Sequence, residues 1–169
     1  WASPHQLATA EEYSLGIGPF GSDLRVSDYR AEGVPLIFVR NIRAGDFGGP
    51  DTRFVSHEKA ARLRAHVARG GDLLITKMGE PPGDTCIYPA YGADAVITAD
   101  CIRWRLHLSL QQAAGYFVAA LRSSVVRTQI VAITKGVAQK KVSLARFKTT
   151  AIPMPPQAEQ ARFLAEVDR

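Results

Sequence analysis

Gly16-Ile-Gly-Pro-Phe-Gly21 has the spacing of a glycine-rich phosphate loop. Such a loop holds phosphate only where a strand leads in and a helix starts on it, so that free backbone N–H groups face the anion. Here the lead-in is too short and no helical pattern follows. Glu80-Pro-Pro-Gly83 contains a Pro-Pro turn of the kind that holds an amino group for methyl transfer. It lacks the leading Asp or Asn and the trailing aromatic, and no AdoMet loop accompanies it. His5, His57, His66 and His107 stand in unrelated contexts at no metal-ligand spacing. Cys86 and Cys101 form neither a CxxC pair nor a His/Cys cluster, and read as small buried hydrophobes in a reducing compartment. Asp72 and Lys77 share one strand, but the remaining carboxylate of a metal-dependent nuclease set is missing. None of these sets is complete. The chain reads as non-catalytic, with no metal and no cofactor of its own.

Charge says more than any of these motifs. Residues 1–100 carry 10 basic and 13 acidic side chains, whereas Cys101 to Ala158 carry nine basic residues and no Asp or Glu. A run of 58 residues without an acid is unexpected when acids make up 16 of 169. It is either a solvated basic face or a surface that neutralises phosphates, which need cations nearby and are repelled by anions. Reading a base sequence needs Arg or Lys for guanine and Asn or Gln for adenine. Arg40, Asn41, Lys77, Lys135, Gln139, Lys140 and Lys141 sit at strand ends and loops, with glycines beside them that let backbone approach phosphate. The alternatives are a strand-end salt bridge and an Asx-turn for Arg40 and Asn41, and simple solvation for Lys140 and Lys141.

These side chains depend on the elements that carry them. Val34 to Ile42 is a β-rich apolar run, read as a buried strand beginning after Pro35. Ala44 to Asp51 is dense in turn formers. Ser56 is placed to cap a helix through Ala68, with Glu58 in its first turn and Gly70-Gly71 as its stop. Asp72 to Lys77 is a second buried strand, ended by the Gly79–Gly83 turn, and short strands are expected at 85–89, 94–98 and 101–107. In the last, Ile102, Trp104 and Leu106 alternate with Arg103, Arg105 and His107, which predicts both arginines on a solvent face. Ser109-Leu-Gln-Gln112 is a capping-box pattern opening a helix over 110–122, and a further helix spans 124–132. Thr134 to Ser143 is a basic loop, and Phe147 to Met154 is expected to be extended ahead of Pro153, Pro155 and Pro156. From Pro156 a helix restarts, with Ala158, Ala161, Leu164 and Ala165 near helical spacing. Strands mixed with helices, without regular alternation, indicate an α+β fold. No apolar run reaches the roughly 20 residues of a membrane span, and the chain reads as cytoplasmic with no membrane partner.

Four segments, in order, resemble the target recognition domain of the specificity (S) subunit of type I restriction-modification systems. Gly18-Pro-Phe-Gly-Ser22 looks like the family's opening loop, and Val34–Ile42 is similar to its strand "IPFIRVKNI". Gly71-Asp-Leu-Leu-Ile-Thr-Lys-Met-Gly79 with Gly83 looks like "GDILI…G…G". Lys135–Ser143 followed by Ile152-Pro-Met-Pro-Pro-Gln-Ala-Glu-Gln160 resembles the ending "G..Q.NLS…IPLPP..EQ" and is the most specific of the four. Lys141 stands where the family often has Asn, and Gln157 replaces a common Leu.

The resemblance implies an α+β fold, a strongly curved mixed β-sheet with packed helices, followed by the start of a long C-terminal helix. It implies a DNA-binding target recognition domain over 1–152 and a spacer helix beginning in 153–169. The expected function is sequence-specific recognition of double-stranded DNA, directing methylation and cleavage by partner subunits in phage defence. AdoMet, Mg and ATP are expected only in those partners: the methyltransferase (M) subunits, with the restriction (R) subunit a further candidate. The candidate DNA-contacting residues are Ser22, Arg40, Asn41, Arg43, Lys77, Lys135, Gly136, Gln139, Lys140 and Lys141. A full S subunit resembles two such domains joined by two long helices, so this chain reads as a fragment, a half-subunit or part of a fusion. The tail helix is expected to pack on its own domain or on a second copy, and to pair with a second recognition domain or form a homodimer. The other readings are the recognition domain of a single-chain methyltransferase-nuclease fusion and, in a different class, a basic protein-interaction module.

Overall fold

The computed structural model describes residues 1–42, 45–49, 52–136 and 140–167. In chain order the elements are α1 (Pro4–Leu7), β1 (Leu15–Ile17), β2 (Val34–Ile37), β3 (Arg53–Val55), α2 (His57–Arg62), β4 (Val67–Ala68), β5 (Leu73–Thr76), β6 (Thr85–Ile87), β7 (Ala95–Ile97), β8 (Cys101–Trp104), α3 (Ala114–Arg122), α4 (Ser124–Ala132), α5 (Leu144–Phe147) and α6 (Gln157–Val167). The class is α+β, as expected. The sheet is realised as two four-stranded sheets: β1-β8-β5-β6, which is antiparallel throughout, and β3-β2-β7-β4, in which β2 and β7 run parallel.

The two sheets stack between helices. Leu73, Ile75, Ile102 and Trp104 of the first sheet face Phe117, Leu121, Ile130 and Phe147, with Trp104 edge-to-face on Phe117 and Phe147. The other face of that sheet gives Leu74, Cys86 and Cys101 to a shared core with Ile37, Ala68, Ala95 and Ile97. Beyond it, Leu36, Val55 and Val96 pack on Ala60 and Leu63. A sheet covered on both sides explains why β5 reads Leu-Leu-Ile-Thr without a polar alternate, since each of its residues is buried.

Double coverage also overturns the solvent face expected for Arg103 and Arg105. Arg103 is 2% exposed between the sheets and donates to the Val67 carbonyl, with no hydrogen-bond partner for Nε or Nη2 among the described residues. Its burial lowers the guanidinium pKa to about 10. Arg105 is held by Asp72, its Nε 2.8 Å from Oδ1 and its Nη2 2.7 Å from Oδ2, and by Glu11 at 3.1 Å.

Several boundaries move for tertiary reasons. The strand expected to run to Ile42 stops at Ile37, and Val39–Asn41 is a 3₁₀ turn. The helix capped by Ser56 stops at Arg62, because Val67 and Ala68 pair with β7 instead. Ser109 does not cap a helix: its N–H donates to the His107 ring, and 108–113 winds as 3₁₀ before α3 begins. Phe147 is helical, not extended. Ser143 caps α5 through the Arg146 N–H, and Pro153 lies too far along to prevent it. Helix α4 has the expected span, with Ser123 as its cap. Helix α6 packs on its own domain, with Leu164 over Gly115, Phe163 6.0 Å ring to ring from Tyr116, and Gln160 buried. No helix among the described residues is long and apolar enough to cross a membrane.

Candidate nucleic-acid interface

Strand register gathers the loops. Ile17 lies opposite Ile102, Thr76 opposite Cys101, Ile75 opposite Thr85, and Ile37 beside Ile97. The ends of β1, β2, β5 and β7 and the starts of β6 and β8 therefore lie along one edge. The loops 18–23, 38–42, 77–84 and 98–100 leave from it.

Residues 134–136 and 140–142 are laced across the same edge by backbone hydrogen bonds. The Val142 N–H donates to the Lys77 carbonyl at 2.9 Å, and Lys135 and Lys141 exchange N–H···O bonds of 3.0 and 2.9 Å. Met78 forms a bridge to Lys141. Gly136 turns the chain at φ +117°, a conformation that favours glycine. Gly18 lies so close to the Thr98 carbonyl that an added Cβ would sit 2.1 Å from its carbon. Segments far apart in sequence thus become neighbours.

The candidate residues divide into groups. Lys135, Gly136 and Lys140 are exposed on the laced segment, and Lys141 is half-buried beside them. Ser22 is exposed in the turn after Phe20. Lys77 is 8% exposed, so it faces inward: its ammonium donates to the Ala99 carbonyl at 3.2 Å and lies 4.6 Å from the centre of the Phe20 ring. Burial lowers its pKa, opposed by the nearby Asp100 carboxylate and reinforced by Lys141. On the adjoining turn, the half-buried Arg40 guanidinium lies 4.1 Å over the Phe38 ring. The Asn41 side chain is occupied with backbone: Oδ1 accepts the Phe38 N–H at 2.8 Å and Nδ2 donates to the Gly48 carbonyl at 3.3 Å. That is the local turn geometry posed against base reading, on a 3₁₀ turn and not a strand end. Arg43 and Gln139 lie outside the described residues.

The acid-free run of sequence does not produce an acid-free surface. Lys140 pairs with Glu80, Lys141 with Asp100 at 3.5 Å and Arg127 with Asp84 at 3.6 Å, so carboxylates from before Cys101 meet the cations that follow it. Arg103 and Arg105 are withdrawn into the core. Lys135 and Lys140 remain exposed on the laced segment, while Arg25, Arg30, Arg53, Arg62, Arg64, Arg69, Arg122 and Arg162 are exposed elsewhere. Charge counting along the chain missed these carboxylates because their partners lie 41 to 60 residues away. It also missed Phe20, an uncharged residue inside the Gly18-Pro-Phe-Gly-Ser22 segment. Among the described residues no group of His, Cys, Asp and Glu could hold a metal ion.

No family model matches the chain, and no curated protein does. Solved structures do match. A chain from a structure on complex assembly and conformational transition of the type I R-M system superposes with a TM-score of 0.68 at 17% identity, over 99% of this chain and 37% of that one. The HsdS subunit from Thermoanaerobacter tengcongensis gives 0.62 at 18% identity, over 99% and 36%. The type I restriction-modification S subunit from M. genitalium gives 0.58 at 13% identity, over 98% and 37%. At these identities the likeness is one of fold, and the chain spans a little over a third of each of these proteins.

Proposed function

We propose that this chain is a target recognition domain that binds double-stranded DNA at a defined sequence, as part of the specificity subunit of a type I restriction-modification complex. The observation that carries the reading is convergence. Four of the segments that resemble the family's motifs (18–22, 34–42, 71–79 and 135–143) end together on one edge of a fold shared with S subunits. That edge offers Lys135, Lys140 and Lys141 to phosphates or guanine edges, with Arg40 on the adjoining turn. Methylation and cleavage belong to partner M and R subunits, which hold AdoMet, Mg and ATP, and the complex works in the cytoplasm. The tail helix continues into a spacer that sets the distance to a second recognition domain.

Binding of a random-sequence duplex to the 169-residue chain tests the phosphate part of this reading. Four cations at about 0.9 per phosphate give a log–log salt slope of roughly −3 to −4. Lys140→Ala with Lys141→Ala flattens it by up to about 2 and weakens all sequences alike. A salt-independent affinity, or equally tight binding to an acidic polypeptide, overturns it in favour of a protein-interaction module.

A further inference from the structure

Phe20 is 54% exposed although it is a large aromatic, and it belongs to none of the described core clusters. It is nevertheless held in place. Gly18, two residues before it, is seated against the Thr98 backbone at a separation no side chain would fit. Lys77, itself 8% exposed and tied to the Ala99 carbonyl, sets its ammonium 4.6 Å from the ring centre. After it, Gly21 turns at φ +57° with nothing within 4 Å of where a side chain would begin, so the outer side of the loop is open. The ring is thus an ordered apolar surface facing outward, on the same edge as Lys135, Lys140 and Lys141.

We propose that Phe20 is the apolar base contact of this edge and meets a thymine methyl group in the major groove. The inference rests on the reading of the chain as a DNA-recognition domain. In the major groove thymine alone presents a methyl group, beside the O4 acceptor, and an aromatic side chain is a fitting contact for it. Wedging between base pairs, the other use of an exposed aromatic on DNA, needs a ring free to enter the stack. Here one face is covered by the Lys77 ammonium, which leaves the edge and the second face for a single apolar group. A cation beside the ring also suits the neighbouring O4. Lys77 is accordingly a positioning residue that acts through Phe20.

The test uses the duplex site selected by the 169-residue chain from random sequence. Each thymine is replaced in turn by deoxyuridine, which removes only the methyl group, and affinities are measured for the parent chain, Phe20→Ala and Phe20→Leu. At one position the parent is expected to lose about fourfold, roughly what burying one CH₂-sized group is worth. Phe20→Ala loses a similar factor on the thymine site and is indifferent to the replacement, and Phe20→Leu lies between. Circular dichroism and thermal unfolding of both variants check that the fold is kept. The inference is overturned if Phe20→Ala binds like the parent, if it weakens every sequence equally, or if the deoxyuridine effect persists in it. A parent chain that selects no sequence refutes the underlying reading instead, and this inference with it.

Discussion

Neutralising the two carboxylates that hold the edge lysines should tighten non-specific DNA binding. In the free chain Lys140 pairs with Glu80, the side chains 46% and 73% exposed, and Lys141 pairs with Asp100 at 3.5 Å, 42% and 32% exposed. A phosphate that takes either lysine must break the pair or approach a carboxylate. Exposed pairs of this kind are worth about 0.2–1 kcal/mol each, so two of them cost DNA binding about 0.4–2 kcal/mol. At about 1.4 kcal/mol per tenfold, Glu80→Gln with Asp100→Asn is expected to bind a random-sequence duplex roughly 2- to 30-fold more tightly. The salt slope should change little, because Lys140 and Lys141 are already among the four cations that meet phosphates in the parent chain. Fluorescence anisotropy at roughly 50 to 200 mM salt reads both affinity and slope. The amides keep the shape of the carboxylates, and a thermal melt checks the fold. Unchanged or weaker binding would refute the reasoning: the carboxylates would then face away from the DNA or accept hydrogen bonds from bases.

Three further outcomes follow from the packing. Asn41→Ala leaves the part-buried Phe38 N–H and Gly48 carbonyl without their side-chain partner, and should cost about 1–3 kcal/mol in urea unfolding with little change in DNA affinity; a loss confined to the preferred site would instead make Asn41 a base reader. Arg103→Met removes a buried cation at similar volume and should be neutral or stabilising by up to about 3 kcal/mol, whereas Arg103→Ala opens a cavity and destabilises. Because folding lowers the Arg103 pKa to about 10, the unfolded chain binds the extra proton above that pH, so the parent gains stability from this group as pH rises through 10 and the Met variant does not. Phe147→Ala removes a fully buried ring set edge-to-face on Trp104 and should cost about 3–5 kcal/mol by the same measurement.

Elements whose local signals agree with their surroundings were legible. Residues 124–132 and the segment after Pro156 have helical spacing and good starts, and both form helices. The Asp72–Lys77 run was apolar enough to be a buried strand, and it is one. The arginines of β8 misled because alternation marks two faces without saying whether the polar one is wet, and here a second sheet covers it. The helix from Ser56 was cut short by a pairing with β7, some 30 residues away, which no local window contains. The motif segments are the ones that the fold brings together on the candidate edge. They did not say that Lys77 turns inward, that Asn41 is taken by backbone, or that Glu80 and Asp100 stand beside the lysines, since each depends on contacts across loops.

The central claim is that this edge reads a DNA sequence, and the direct measurement is selection of duplexes bound by the 169-residue chain from a fully randomised pool, sequenced over several rounds at physiological salt. The account predicts enrichment of one defined short site, bound far more tightly than a scrambled duplex of the same composition. That preference should be weakened by substitution along the edge formed by Phe20, Arg40, Lys135, Lys140 and Lys141. A pool that stays random after repeated rounds, while the chain binds every duplex equally or none, would contradict it.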